Sequence, residues 1–237
     1  MPEAGATGRR SVGARRPTVI GLTGNIASGK SLVGRILVRL GADHSATSRG
    51  AVTHIDADRL SREVMAPGTA VWRQIVAEFG DAHLGGDIVA PDGTLDRAKL
   101  GALVFRDPAA LARLEAIVHP AVIALAEERI AATTTAGEPC ASVVVVEAIK
   151  LIESGMLRRL CDVLWVVTAP AEVRLERLVQ QRGLDRAAAQ ARIDAQPPEA
   201  YKVAQADVVI DNGGTLEELV RQVEQAWAAL WAYMEER

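Results

Sequence analysis

Apolar and polar positions along the chain follow two alternating rhythms. Short runs dense in β-branched residues, at Thr18–Thr23, Val52–Asp56, Ala141–Val146, Val163–Thr168 and Asp207–Asp211, read as strands. Between them lie stretches with apolar residues every three or four positions, the period of a helix with one buried face. This alternation predicts an α/β fold with a mostly parallel sheet of about five strands flanked by helices. The almost unbroken valines of Ala141–Val146 suit a strand covered on both faces.

After the first strand the chain passes through Gly24–Ser31 into a helix reaching Leu40. Leu32, Ile36, Leu37 and Leu40 share one face of it, and Gly41 is placed to end it. Ala42–Ala51 reads as a polar loop. Residues 57–135 then change character, with helical patterns such as Trp72, Ile75, Val76, Phe79 and Leu111, Leu114, Ile117, Val118 and little strand signal. Breaks are expected at Pro67–Gly68, Pro91–Asp92–Gly93 and His119–Pro120. The expectation is a helical insertion, 57–135, in a core formed by 18–56 and 136–237. Farther on, Glu172–Gln196 reads as an Arg- and Gln-rich helical stretch. A solvated face is the ordinary reading for most of Arg174, Arg177, Arg182, Arg186 and Arg192. Asn212–Gly213–Gly214 forms a turn, and Thr215 with Glu218 makes a capping box for a terminal helix whose Leu219, Val220, Val223 and Trp227 face the sheet.

Composition narrows the function classes. The 237 residues carry 27 Lys and Arg against 30 Asp and Glu, a formal charge of −3, without the basic excess that nucleic-acid binding favours. Cys140 and Cys161 have apolar neighbours and no CxxC or Cys/His spacing, so they read as buried reduced thiols rather than zinc ligands or a disulfide. No uncharged apolar stretch reaches the ~18–20 residues of a membrane span. Met1–Pro17 holds two Arg pairs, yet the apolar run behind it, Thr18–Leu22, is too short for an export signal. The segment 1–17 therefore reads as a disordered tail, and the whole as a cytoplasmic monomer or weak homo-oligomer.

The strongest chemical signal is Gly24-Asn25-Ile26-Ala27-Ser28-Gly29-Lys30-Ser31, which fits GxxxxGK[ST] with a strand before it and a helix after it. In such a loop the backbone N–H groups and the helix N-terminus face a nucleotide's phosphates, Lys30 adds a point charge and the Ser31 hydroxyl can ligate Mg²⁺. Leu32, just behind the loop, joins the nucleotide site. A nucleoside triphosphate with Mg²⁺ follows, and the absence of an [NT]-K-x-D element weakens a guanine-specific switch. Ile55-Asp56-Ala57-Asp58 puts two acids at the carboxyl end of the second strand, the edge where the P-loop lies. Strand alternation would aim both Asp56 and Asp58 toward the phosphates, one at an acceptor hydroxyl and the other at the metal or its waters. The competing reading is a helix N-cap followed by a surface acid.

In these residues the chain resembles the dephospho-coenzyme A kinases, relatives of the nucleoside monophosphate kinases. The resemblance runs from Thr18 to Leu230. Besides the P-loop it rests on Asp56-Ala57-Asp58 with Arg62, Pro67–Gly68, His119–Pro120, Glu153-Ser154-Gly155, Gln181-Arg182, Arg192-Ile193-x-x-Gln196 and Ala206–Asn212 in common order. It implies transfer of the ATP γ-phosphoryl group to the ribose 3′-hydroxyl of dephospho-coenzyme A. It also implies that Asp58 is the catalytic base, which leaves Asp56 with Ser31 for the metal, that 57–135 holds the acceptor through Arg62 and His119, and that 177–205 is a lid carrying Arg182 to the transferring group. Asn212 and Gly213 resemble the loop near adenine. For His119, before Pro120, an alternative is a structural place at a helix start.

Two departures stand out. Many members have Asp-x-Pro-Leu-Leu after the valine-rich strand, where this chain reads Glu147-Ala148-Ile149-Lys150-Leu151. Lys150 either reaches solvent or pairs with Glu147 or a substrate phosphate. In addition, the Ala42–Ala51 loop is longer than usual and Met1–Pro17 extends the usual start. Beside the kinase reading stands a second class, a P-loop protein that senses ATP without phosphorylating a small molecule.

Overall fold

The computed structural model describes residues 16–44, 51–80, 88–133 and 143–235. Five parallel strands, β1 (Thr18–Thr23), β2 (Val52–Asp56), β3 (Val143–Glu147), β4 (Val163–Thr168) and β5 (Val208–Asp211), form one sheet in the order β2-β3-β1-β4-β5. β1 and β3 are central, and every residue of β3 is buried, as its valine run requires. The expected third strand began at Ala141. Residues 141 and 142 lie outside the described residues, as do most of the tail, the middle of the Ala42–Ala51 loop and Cys140.

Helices cover both faces. On one side α1 (Lys30–His44) and α9 (Leu216–Glu235) enclose Val33, Leu37, Val223 and Trp227 against Ile20, Leu22, Val145 and Trp165. Trp227 and Trp231 meet edge to face at 5.5 Å. On the other side α2 (Ala57–Val64), α3 (Ala70–Phe79), α4 (Arg97–Phe105) and α5 (Pro108–Ala132) share one apolar cluster with Val144, Val146 and Leu164 of the sheet. The helices between β2 and β3 therefore build no core of their own. A third, small cluster joins α6 (Ala171–Arg182) and α7 (Arg186–Asp194), through Leu175, Leu178, Ala189 and Ile193, to Ile26 and Ala27. The short α8 (Glu199–Val203) follows.

Several expectations need correction. α1 runs through Gly41 to His44. The glycine serves a close approach instead, since a Cβ there would lie 2.4 Å from Val52 Cγ2. α5 also runs unbroken through Pro120, so His119 does not precede a helix start. An interior proline costs ~3 kcal/mol by removing one N–H and crowding the previous turn. Here Asp107 caps α5, and Val118, Val122 and Ala126 anchor it on both sides of the proline. Among the described residues α5 alone is long and apolar enough to cross a membrane, and it packs here against α2, α3 and α4. The Glu172–Gln196 stretch is two helices, divided where Gly183 takes a left-handed conformation (φ 65°). The capping box forms as expected: Thr215 N–H donates to Glu218 and Glu218 N–H to Thr215 Oγ.

Candidate active site

Parallel pairing brings the carboxyl ends of β1, β2 and β3 level, with Glu147 in register with Asp56 on one side and Leu22 on the other. The loop from Gly24 to Lys30 rises from that edge between β1 and α1. Its two outer glycines are sterically required. A Cβ on Gly24 (φ 153°) would meet the Val167 carbonyl oxygen at 2.2 Å, and one on Gly29 (φ 99°) would meet Asn212 Nδ2 at 2.0 Å. A pocket of about 580 Å³ opens above the loop. Ile26, Ala27, Gly29, Lys30, Ser31 and Leu32 form its floor, and Asp56, Asp58, Arg182 and Asn212 stand around it.

Lys30 is buried, and its Nζ donates to the carbonyls of Gly24 (3.0 Å) and Asn25 (3.2 Å). Burial pulls its pKa down to about 8, against the opposing pull of Glu147. Ser31 Oγ donates to Glu147 Oε1 at 2.7 Å, and His54 Nε2 lies 3.0 Å from Glu147 Oε2. Burial by itself would raise the Glu147 carboxyl. The hydrogen bonds from His54 and Ser31, with the nearby charges of His54 and Lys30, outweigh it and hold the group below the usual range.

Asp56 and Asp58 both face the pocket, by a different route from strand alternation. β2 ends at Asp56, and Asp58 lies in the first turn of α2. Asp56 Oδ1 caps that helix, accepting from the N–H groups of Asp58 (2.8 Å) and Arg59 (3.3 Å). The capping geometry is thus what turns Asp58 toward the P-loop, and Asp58 is exposed there to solvent.

The outer side of the loop is clamped from the far end of the chain. Arg177 donates to Ala27 O (3.2 Å), Ser28 O (3.4 Å) and Asn212 O (2.8 Å). Asn212 Nδ2 donates to Ser28 O at 2.7 Å, and Ile26 N–H donates to Gln196 Oε1 at 2.7 Å. Arg177 is therefore no solvated surface residue, and neither is buried Arg174, whose Nε donates to Ala169 O. Arg182, Arg186 and Arg192 are exposed, Arg182 at the pocket rim.

Of the other residues expected at the site, Gly24, Asn25 and Ser28 shape the loop behind the pocket, and Gly213 packs on Pro170. Arg62 lies in the last turn of α2 and His119 is half-buried on α5, both outside the pocket lining. Glu147, His54, Arg177, Arg35 and Gln181 were not assigned to the site from sequence. An acid closing the strand beside the P-loop strand was the available signal for Glu147. Lys150 is exposed.

A family model described as dephospho-CoA kinase matches residues 18–218. The dephospho-CoA kinase of Geobacter sulfurreducens is 47% identical over 210 residues, covering 89% of this chain and 97% of its own. That of Leifsonia xyli subsp. xyli is 47% identical over 212 residues, covering 90% and 98%. Among solved structures, a Thermus thermophilus protein aligns with a TM-score of 0.71 at 32% identity over 92% of this chain and 98% of its own. The dephospho-CoA kinase from Campylobacter jejuni aligns with a TM-score of 0.62 at 25% identity, over 90% and 96%.

Proposed function

Since the chain belongs to the dephospho-CoA kinase family and so carries out the last step of coenzyme A biosynthesis, we propose that the pocket above the P-loop is where the phosphoryl group moves. The observation that carries this reading is that Lys30 and Ser31, Asp58 and Arg182, from three distant parts of the sequence, open into one cavity. Family membership favours catalysis over ATP sensing.

In this reading the triphosphate of ATP lies along the Gly24–Leu32 backbone, and Lys30 exchanges its two loop carbonyls for phosphate oxygens. Asn212 and Gly213 lie toward the adenine. Asp58 accepts the proton of the ribose 3′-hydroxyl as that oxygen attacks the γ-phosphorus and the bond to the ADP oxygen breaks. Arg182 meets the charge that spreads over the transferring group, and 177–205 closes as a lid to exclude water. Arg62 and His119 are assigned to the acceptor on the family motif alone.

Oxygen donors are at hand in the pocket: the Ser31 hydroxyl with the Glu147 carboxylate bonded to it, and Asp56 in the same lining. A small hard cation such as Mg²⁺ takes one or two protein oxygens and fills its octahedron with phosphate and water. When bound, Mg²⁺ neutralises charge between the phosphates. Cytoplasmic location, no nucleic-acid or membrane partner and a monomeric or weakly associated state complete the proposal.

The test is incubation with Mg²⁺·ATP and dephospho-coenzyme A, read by mass spectrometry. Coenzyme A and ADP should appear in equal amounts. Asp58→Asn should lower turnover by at least ~10²-fold with ATP affinity nearly intact. Undiminished turnover in that variant would remove Asp58 from the mechanism.

A further inference from the structure

A glutamate carboxylate hangs on one more rotatable bond than an aspartate carboxylate, so holding it in a single orientation costs more conformational entropy. Glu147 is nonetheless held at both oxygens. Ser31 Oγ occupies Oε1 at 2.7 Å, and the His54 ring nitrogen lies 3.0 Å from Oε2. The sheet register makes that contact possible. His54 pairs with Val145, two residues before Glu147, so the imidazole and the carboxylate share one face of adjacent strands. A second element fixes the ring. Gly34 of α1 lies over it, and a Cβ at that position would come within 3.0 Å of both His54 Cε1 and Nε2. The helix thus leaves a notch one methyl group deep in which the imidazole lies.

We propose that His54 is a positioning residue for phosphotransfer, donating Nε2–H to Glu147 Oε2 and so aiming the remaining lone pairs of Glu147 at the Ser31 hydroxyl and the cation side of the P-loop. An ionised carboxylate only accepts, so the proton in this contact belongs to Nε2. The inference rests on the reading of Ser31 and Glu147 as the cation side of the site. His54 itself lies outside the pocket lining, behind Glu147.

Three measurements test it. First, ¹⁵N NMR of the histidine-labelled wild-type protein should find the His54 proton on Nε2; a bare Nε2 overturns the proposal without any variant having to fold. Second, His54→Leu should raise the Mg²⁺ concentration for half-maximal turnover by about 10-fold or more, the usual effect of losing a hydrogen bond behind a metal site. Affinity for a fluorescent ATP analogue in EDTA, and KM for dephospho-coenzyme A, should stay nearly unchanged. Third, His54→Gln, which can still donate an N–H, should recover most of the Mg²⁺ response. Equal losses in the Leu and Gln variants would mean that the ring only fills space, and an unshifted Mg²⁺ response in His54→Leu would leave it no role. If the wild-type protein itself binds the analogue equally with and without Mg²⁺, the underlying reading of Ser31 and Glu147 fails, and that result is visible before any variant is made.

Discussion

Lys30 shows how burial sets up a binding site in advance. Its ammonium has left water for two carbonyls of its own loop, and its pKa falls to about 8 from the 10.5 of a free lysine. Because the folded value is the lower one, the unfolded chain holds more protons between those two pH values. This residue's contribution to stability therefore rises with pH across that window, and its full penalty is present below pH 8. A triphosphate reverses the preference by restoring favourable charge around the ammonium. ATP binding at pH 9 should accordingly take up a large fraction of a proton, read by calorimetry in buffers of different ionisation enthalpy, whereas at pH 6.5 uptake by this lysine should vanish. Pure pH-independent binding would contradict the account. Cys161 illustrates burial without function. It lies against Gly21, its Sγ contacts Leu157 O, and burial pushes its thiol up to about 12. In a Cys140→Ser background it should resist a thiol reagent at pH 8 until the protein unfolds. Rapid labelling of the native protein would refute that. The P-loop residues were legible in the sequence because their spacing is dictated by backbone geometry. The roles of Glu147 and His54 were not, since one hydrogen bond between neighbouring strands leaves no spacing signature.

At the scale of elements, the rigid part of the site is the loop as clamped by α6 and the turn after β5. Arg177 reaches two loop carbonyls across about 150 positions of sequence and a third on Asn212, which itself seals the gap over Gly29. Arg177→Met should lower ATP affinity by roughly tenfold, the effect of losing a charged hydrogen bond, while leaving KM for dephospho-coenzyme A unaltered. An unchanged ATP affinity would show that the loop holds its shape unaided. Strands were read well because β1, β2 and β4 are short runs rich in β-branched residues, and the observed bounds agree. Helix ends were read less well. Gly41 and Pro120 are both local signals to stop, and both are overridden by tertiary contacts that reward continuing. The same limit explains Arg174 and Arg177. An arginine on a helix looks solvated until the chain that covers it is known.

For the whole molecule, one buried contact ties the far segment to the sheet. Lys202 of α8 is fully buried, donates to Ile149 O and pairs with Glu153 Oε1 at 2.8 Å. Thr23 Oγ donates to the same carbonyl, so β1, the loop after β3 and α8 meet at one point beneath the pocket wall. Removing one partner strands the other, so Lys202→Met should destabilise the fold by ~3–5 kcal/mol, and adding Glu153→Leu should recover much of that in chemical denaturation. A single variant as stable as wild type would show that the pair is dispensable. Sequence alone determined the α/β class, the strand list, the phosphate loop and the acids at its edge, because each follows from local periodicity or from a backbone geometry that few residues satisfy. Only the tertiary structure decided that the helices between β2 and β3 share the sheet's core, that Asp58 reaches the pocket from a helix, that Arg177 and Asn212 brace the loop, and that His54 and Ser31 grip Glu147. Those outcomes depend on which distant segments come to lie side by side, a property of packing and strand order that no local pattern encodes.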